Sequence, residues 1–121
     1  MESNAHTHCI LPPLEDELIK LIGSRGTIEI LFIFCCTDQS VRFNQINKHM
    51  NHISTKTLST RLRQLVNKGI LMRTVFNEIP PRVEYSITEI GQNLVDSLIP
   101  LIHWINENQS RTPHVQTSKY P

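Results

Sequence analysis

Lys56, Ser59, Thr60 and Arg63 fall at the i, i+3, i+4, i+7 spacing of one helix face. Together they offer two cations and two hydroxyls, with no carboxylate among them. That set suits one task well. A duplex presents phosphate oxygens on its rim and hydrogen-bonding base edges in its major groove. Arg63 and Lys56 are the candidates for a guanine contact, since both can donate to its major-groove acceptors. The competing explanation is a solvated helix face that happens to lack acids.

The element that would position these groups is legible on either side of them. Ser54 is a good N-cap, because its hydroxyl can accept from an unpaired amide of the first turn. Leu58, Leu62 and Leu65 recur at helical spacing on the opposite side and predict the buried face. Gly69 offers the left-handed residue that ends a helix, with apolar Ile70 behind it.

A second set of polar groups surrounds this helix. Arg42, Lys48, Thr55, Arg61 and Lys68 are candidate phosphate contacts, or merely solvated groups. Net charge is only +1, so the whole chain gives no hint of a polyanion partner. The distribution does. From Val41 to Arg82 there are eight cations and a single acid, Glu78, a local charge of +7. The rest of the chain holds four cations and ten acids, or −6. A basic middle between acidic flanks is the electrostatic footprint of a polyanion-binding face.

Other chemistry is thinly represented. Cys9 stands close to His6 and His8, which would favour its thiolate if protonated. It is a redox candidate, weighed against an unpaired cysteine that is simply tolerated. His6, His8 and Cys9 lack a fourth metal ligand and match no zinc spacing, so no metal site and no cofactor are assigned. Adjacent Cys35 and Cys36 close an apolar helix and read as small core residues. No local motif pairs a nucleophile with a base or two carboxylates, and the chain is read as a non-enzyme. Three cysteines make no disulfide framework. The N-terminus lacks a signal-length apolar run, and Ile28–Cys36 is too short to span a bilayer. A cytoplasmic protein with no membrane partner is expected.

The remaining elements follow from periodicity. A chain of 121 residues fits one small domain. Leu14–Ile22 is predicted helical, with Glu15, Asp16 and Glu17 in its first turn. Gly23-Ser-Arg-Gly26 ends it, and Thr27 is expected to cap an apolar helix over Ile28–Cys36, the centre of the core. Val41–Met50 reads as a short helix with Phe43 and Ile46 inward. Its link to the basic helix is as short as a helix-turn-helix requires. Alternating runs at Ile70–Phe76 and Val83–Ile87 predict two strands joined through Asn77-Glu-Ile-Pro-Pro-Arg82. Thr88 caps a last helix to about Asn108, with Pro100 expected to kink it. Its apolar positions cover more of the circumference than one small domain can bury. The domain limits are residues 1–8 as a flexible segment, 9–108 as the folded domain, and 109–121 as a disordered tail. The fold class is mainly α with a two-stranded β wing, a winged helix-turn-helix.

Ile79-Pro-Pro-Arg-Val-Glu-Tyr-Ser-Ile-Thr-Glu-Ile-Gly91 resembles the signature of the HxlR-type winged helix-turn-helix transcription regulators. Ser54-x-Lys-x-Leu-Ser-x-Arg-Leu62, Gly69-Ile-Leu71, Arg42-Phe43-x-x-Ile46, and Pro100 with Trp104 extend the likeness from about Cys9 to Ile105. The resemblance implies a homodimer on double-stranded DNA, acting at a pseudo-palindromic operator. It also implies dimerisation through the terminal helices, here Leu94, Leu98, Leu101, Ile102 and Ile105. Arg82, at the wing tip, is assigned to the minor groove, the alternative being an ion pair with Glu78. Many members sense electrophiles or oxidants through a cysteine before the first helix, where Cys9 stands; a small-molecule inducer is the other expected signal. The chain departs from the family in having Gly26 where a tryptophan is usual, and Cys9-Ile10 where Cys-Pro is usual. The rival function is a winged-helix interaction or dimerisation module without operator binding.

Overall fold

Leu58, Leu62 and Leu65 are completely withdrawn from water, and the molecule is built around the helix that carries them. The protein is described by a computed structural model covering residues 16–35 and 37–109. The order of elements is α1 (Asp16–Ile22), α2 (Thr27–Cys35), β1 (Val41–Arg42), α3 (Phe43–His49), α4 (Thr55–Asn67), β2 (Leu71–Phe76), β3 (Arg82–Ile87) and α5 (Glu89–Gln109). Leu14, Glu15 and Cys36, the segment holding Cys9, and residues 110–121 lie outside the described residues.

The core is continuous from α1 to α5. Ile30, Leu31 and Phe34 of α2 meet Ile46 and Met50, the three leucines of α4, Ile70 and Leu71, and Val95 of α5. The central place expected of α2 is thus observed. Its start differs from expectation. The Ile30 amide donates to the Gly26 carbonyl at 3.0 Å, so Gly26 is the cap and Thr27 the first helical residue. Thr27 is fully buried, and its hydroxyl has no hydrogen-bond partner. The backbone at Gly26 is closely packed. Its φ is +90°, and a Cβ there would stand 3.1 Å from Ile53 Cδ1 and 3.3 Å from Met50 Cε. Met50 and Ile53 would have to move to admit any side chain at this position.

The sheet also exceeds expectation. Val41 and Arg42, predicted as helix, are extended and pair antiparallel with Tyr85 and Glu84. Helix α3 begins only at Phe43, with Gln45 Oε1 accepting the Arg42 amide at 3.0 Å. The result is a three-stranded sheet in the order β1-β3-β2, with the hairpin register running from Leu71↔Ile87 to Phe76↔Arg82. No glycine is needed at the hairpin tip, which is Asn77-Glu-Ile-Pro-Pro81.

Helix α5 is fixed to the exit of α4. Thr88 Oγ1 accepts the Gly91 amide at 3.0 Å as an N-cap and donates to the Gly69 carbonyl at 2.6 Å. Gly91 is buried, and a Cβ there would collide with the Ile70 carbonyl oxygen. The helix continues through Pro100 to Gln109. Leu98, expected at a dimer interface, is only 8 % exposed and belongs to the core of the chain itself. Leu94 is half-buried against that core. The apolar face left in water comprises Leu101, Trp104 and Ile105, flanked by half-buried Ile102.

Candidate nucleic-acid interface

The short α3 and the longer α4 form the helix-turn-helix, and local hydrogen bonds set the angle between them. Ser54 caps α4 as expected, accepting the Thr57 amide at 3.0 Å. In the turn, the Met50 amide bonds the Ile46 carbonyl at 3.0 Å and the Ile53 amide bonds the Met50 carbonyl at 3.2 Å. His52 Nε2 lies 3.4 Å from Glu29 Oε2, and its carbonyl accepts from Arg25 Nη2 at 3.3 Å. The turn is therefore tied to α2 and to the loop before it. At the other end, the Gly69 amide donates to Val66 and the Ile70 amide to Leu65, at 3.0 and 2.9 Å. With Gly69 at φ +76°, this is a Schellman closure.

With its core side fixed, α4 turns Lys56 and Arg63 to solvent, while Ser59 and Thr60 are half-buried. Thr60 Oγ1 donates back to the Lys56 carbonyl at 3.0 Å, so its hydroxyl oxygen remains free to accept. Thr55 Oγ1 is 3.4 Å from Asn47 Oδ1 and bridges the two helices of the motif. Lys48 is exposed in the last turn of α3. Beside α4 runs a cleft of about 800 Å³, walled by Ser59, Arg63 and Val66 on one side and the wing on the other.

Other predicted contacts are engaged within the protein. Arg61 Nε donates to the Arg25 carbonyl at 3.0 Å and its Nη1 to Gln64 at 3.3 Å, fastening the α1–α2 loop to α4. Lys68 Nζ lies 2.9 Å from Glu17 Oε1 of α1. Arg42 is 3.8 Å from Glu84. Arg82 stands at the start of β3 rather than at the tip. Its Nη1 lies 3.0 Å from Glu78 and its Nε 3.0 Å from Glu84, and its guanidinium sits 4.0 Å above the Phe76 ring. The ion pair weighed for Arg82 is thus present, and a second carboxylate joins it.

One cation of the cleft, Arg73, lies outside the set predicted from sequence. Arg73 on β2 is exposed, lines the cleft and faces Tyr85 in the strand register. The signal for it was the period of two, which puts Arg73 on the same side of the hairpin as core residue Leu71. No group of three His, Cys, Asp or Glu suited to a metal occurs among the described residues. Among these residues, too, no helix is long and apolar enough to cross a membrane.

A helix-turn-helix leading directly into a β-hairpin, with a cleft between its second helix and that hairpin, defines a winged-helix regulator. The chain belongs to the HxlR-like helix-turn-helix family, whose model matches residues 21–113. It is 33 % identical over 92 residues to the uncharacterized HTH-type transcriptional regulator BH0655 of Halalkalibacterium halodurans, covering 76 % of this chain and 80 % of that one. It is similar in structure to the reduced form of the transcriptional regulator YodB from B. subtilis: TM-score 0.69, 29 % identity, 86 % of this chain and 98 % of that chain. The redox regulator HypR in its reduced form also superposes, with TM-score 0.69 and 29 % identity over 78 % of this chain and 91 % of that chain.

Proposed function

We propose that this member of the family is a homodimeric, sequence-specific DNA-binding regulator acting at a pseudo-palindromic operator. The observation that carries the reading is the outer face of α4. Lys56 and Arg63 are exposed there without ion-pair partners among the described residues, on a helix whose position is over-determined by its caps and leucines. Arg63 and Lys56 read base edges, assisted by Ser59 and Thr60, while Lys48 and Thr55 meet phosphates and Arg42 lies against Glu84. Arg61 and Lys68 act chiefly by holding α4 against the rest of the domain. Arg82 shapes the wing from within. The family's membership in transcription regulators accords with a non-enzymatic, DNA-directed role.

Dimerisation is assigned to the end of α5, where Leu101, Trp104 and Ile105 form one apolar stripe. A two-fold dimer would present two α4 helices to successive major-groove segments. Regulation is assigned to a change in the spacing of those helices, driven by an inducer or by oxidation of Cys9. Two structural neighbours are regulators whose described states are reduced or redox-linked, which favours the second trigger. The pH profile of Cys9 alkylation separates a sensor from a passive thiol: a midpoint near the ordinary value of about 8.5 opposes sensing.

Selection from a random duplex pool tests the operator reading. The expected motif is two inverted half-sites, blurred at one position per half-site by Arg63→Ala. A pool that never enriches would favour the interaction-module reading.

A further inference from the structure

Six arginines lie among the described residues, and four of them are engaged inside the protein. Arg25 bonds the His52 carbonyl, Arg61 bonds the Arg25 carbonyl, and Arg42 and Arg82 lie against Glu84. The side chains of the other two, Arg63 on α4 and Arg73 on β2, have no hydrogen bond or ion pair with any described residue. Both line the same cleft, although a helix terminus and a strand start separate them in sequence. Two unmatched cations on one concave surface raise its potential, and the apolar walls of Phe43, Val66 and Tyr85 focus it.

The wing tip offers no such charge. Ile79 is 100 % exposed, Pro80 and Pro81 follow it, and the nearest cation, Arg82, is matched by Glu78 and Glu84. The free positive charge of the wing therefore sits near its base, facing α4. Arg73 is also well supported there, because β2 is paired along its length with β3 and the opposing Tyr85 is buried.

We propose that the cleft between α4 and the wing seats one sugar-phosphate strand of a DNA duplex, with Arg73 gripping a phosphate of that strand while Arg63 reaches the base edges beside it. The inference rests on the DNA-binding reading and adds a wing residue that the recognition helix does not reveal. Arginine suits this position because its planar fork can hold two phosphate oxygens at once.

The test is a salt titration of duplex binding by fluorescence anisotropy. Wild type, Arg73→Ala, Arg73→Gln and Arg63→Ala are each measured on a selected site and on a scrambled duplex. Because each protomer of the dimer loses one phosphate contact, the slope of log K against log salt should flatten by about 1.8, which is roughly a sixtyfold loss of affinity near ~0.1 M salt. Both Arg73 variants should show that loss equally on the two duplexes and keep the wild-type sequence preference. Arg63→Ala should instead lose preference between them. An unchanged slope and affinity for both Arg73 variants, beside a steeply salt-dependent wild type, overturns the phosphate seat and leaves the DNA reading intact. A changed sequence preference in the Arg73 variants also overturns it, because Arg73 would then be a base reader. A wild type that binds neither duplex overturns both.

Discussion

Helices α4 and α5 each bury three positions about a turn apart, and they differ in what they leave outside. On α4 the buried residues are Leu58, Leu62 and Leu65, and the exposed ones include Lys56 and Arg63. On α5 they are Gly91, Val95 and Leu98, whereas Leu101, Trp104 and Ile105 face water, Trp104 with 60 % of its surface exposed. Among the described residues, one helix carries cations without counter-ions and the other carries apolar area without cover. Each deficit names its complement, a polyanion in the first case and a second apolar surface in the second.

The comparison breaks most completely at the joint between the two helices. Gly91→Val would drive a side chain into the Ile70 carbonyl, just beyond the Gly69 closure of α4. The expected loss is about 4 kcal/mol or more, in the range reserved for severe core lesions. Denaturant unfolding checks it, and a near-wild-type midpoint would mean that α5 is not seated on this turn.

Next in size is the apolar stripe. Leu101→Glu with Trp104→Glu places charges where the partner is expected and leaves the core residues Val95 and Leu98 untouched. Sedimentation should show monomers, and affinity for a two-half-site operator should fall by about 10²–10⁴, the avidity a linked second site supplies. A dimer that survives both charges would move the interface elsewhere.

Much of this division was legible in the sequence, because it rests on local chemistry. Ser54, Gly69 and Thr88 mark helix ends through bonds made within a few residues, and each stands at the boundary expected. What escaped depends on distant partners. β1 is two residues long and exists by pairing with Tyr85 and Glu84, more than forty positions away. Thr27 has the chemistry of a cap, yet Gly26 takes that place because the turn packs against Met50 and Ile53. The apolar surplus on α5 was evident, but not that Leu98 would fall on the covered side of Pro100. Arg73 and Arg82 look alike along the chain; only strand register and two carboxylates distinguish a free cation from a matched one.

Smaller effects sharpen the α4 side. Arg63→Ala should cost about 1–3 kcal/mol at the specific site, concentrated at one base position of each half-site. Equal losses on all sequences would reassign Arg63 to the phosphates. Lys68→Ala should be smaller still. It removes a pair with Glu17, whose side chain is 79 % exposed, so stability should fall by no more than about 1 kcal/mol. A larger loss in thermal unfolding would show that the α1–α4 contact, not the leucine stripe, holds the recognition helix.

The most direct test of the central claim is the salt dependence of wild-type binding to its selected duplex. If the outer face of α4 and the adjoining cleft meet several phosphates, log K must fall linearly with log salt, by about 0.9 for each phosphate neutralised. The expected result is a steep slope corresponding to several contacts per dimer. A flat dependence, with binding unchanged between about 50 and 200 mM salt, would contradict it.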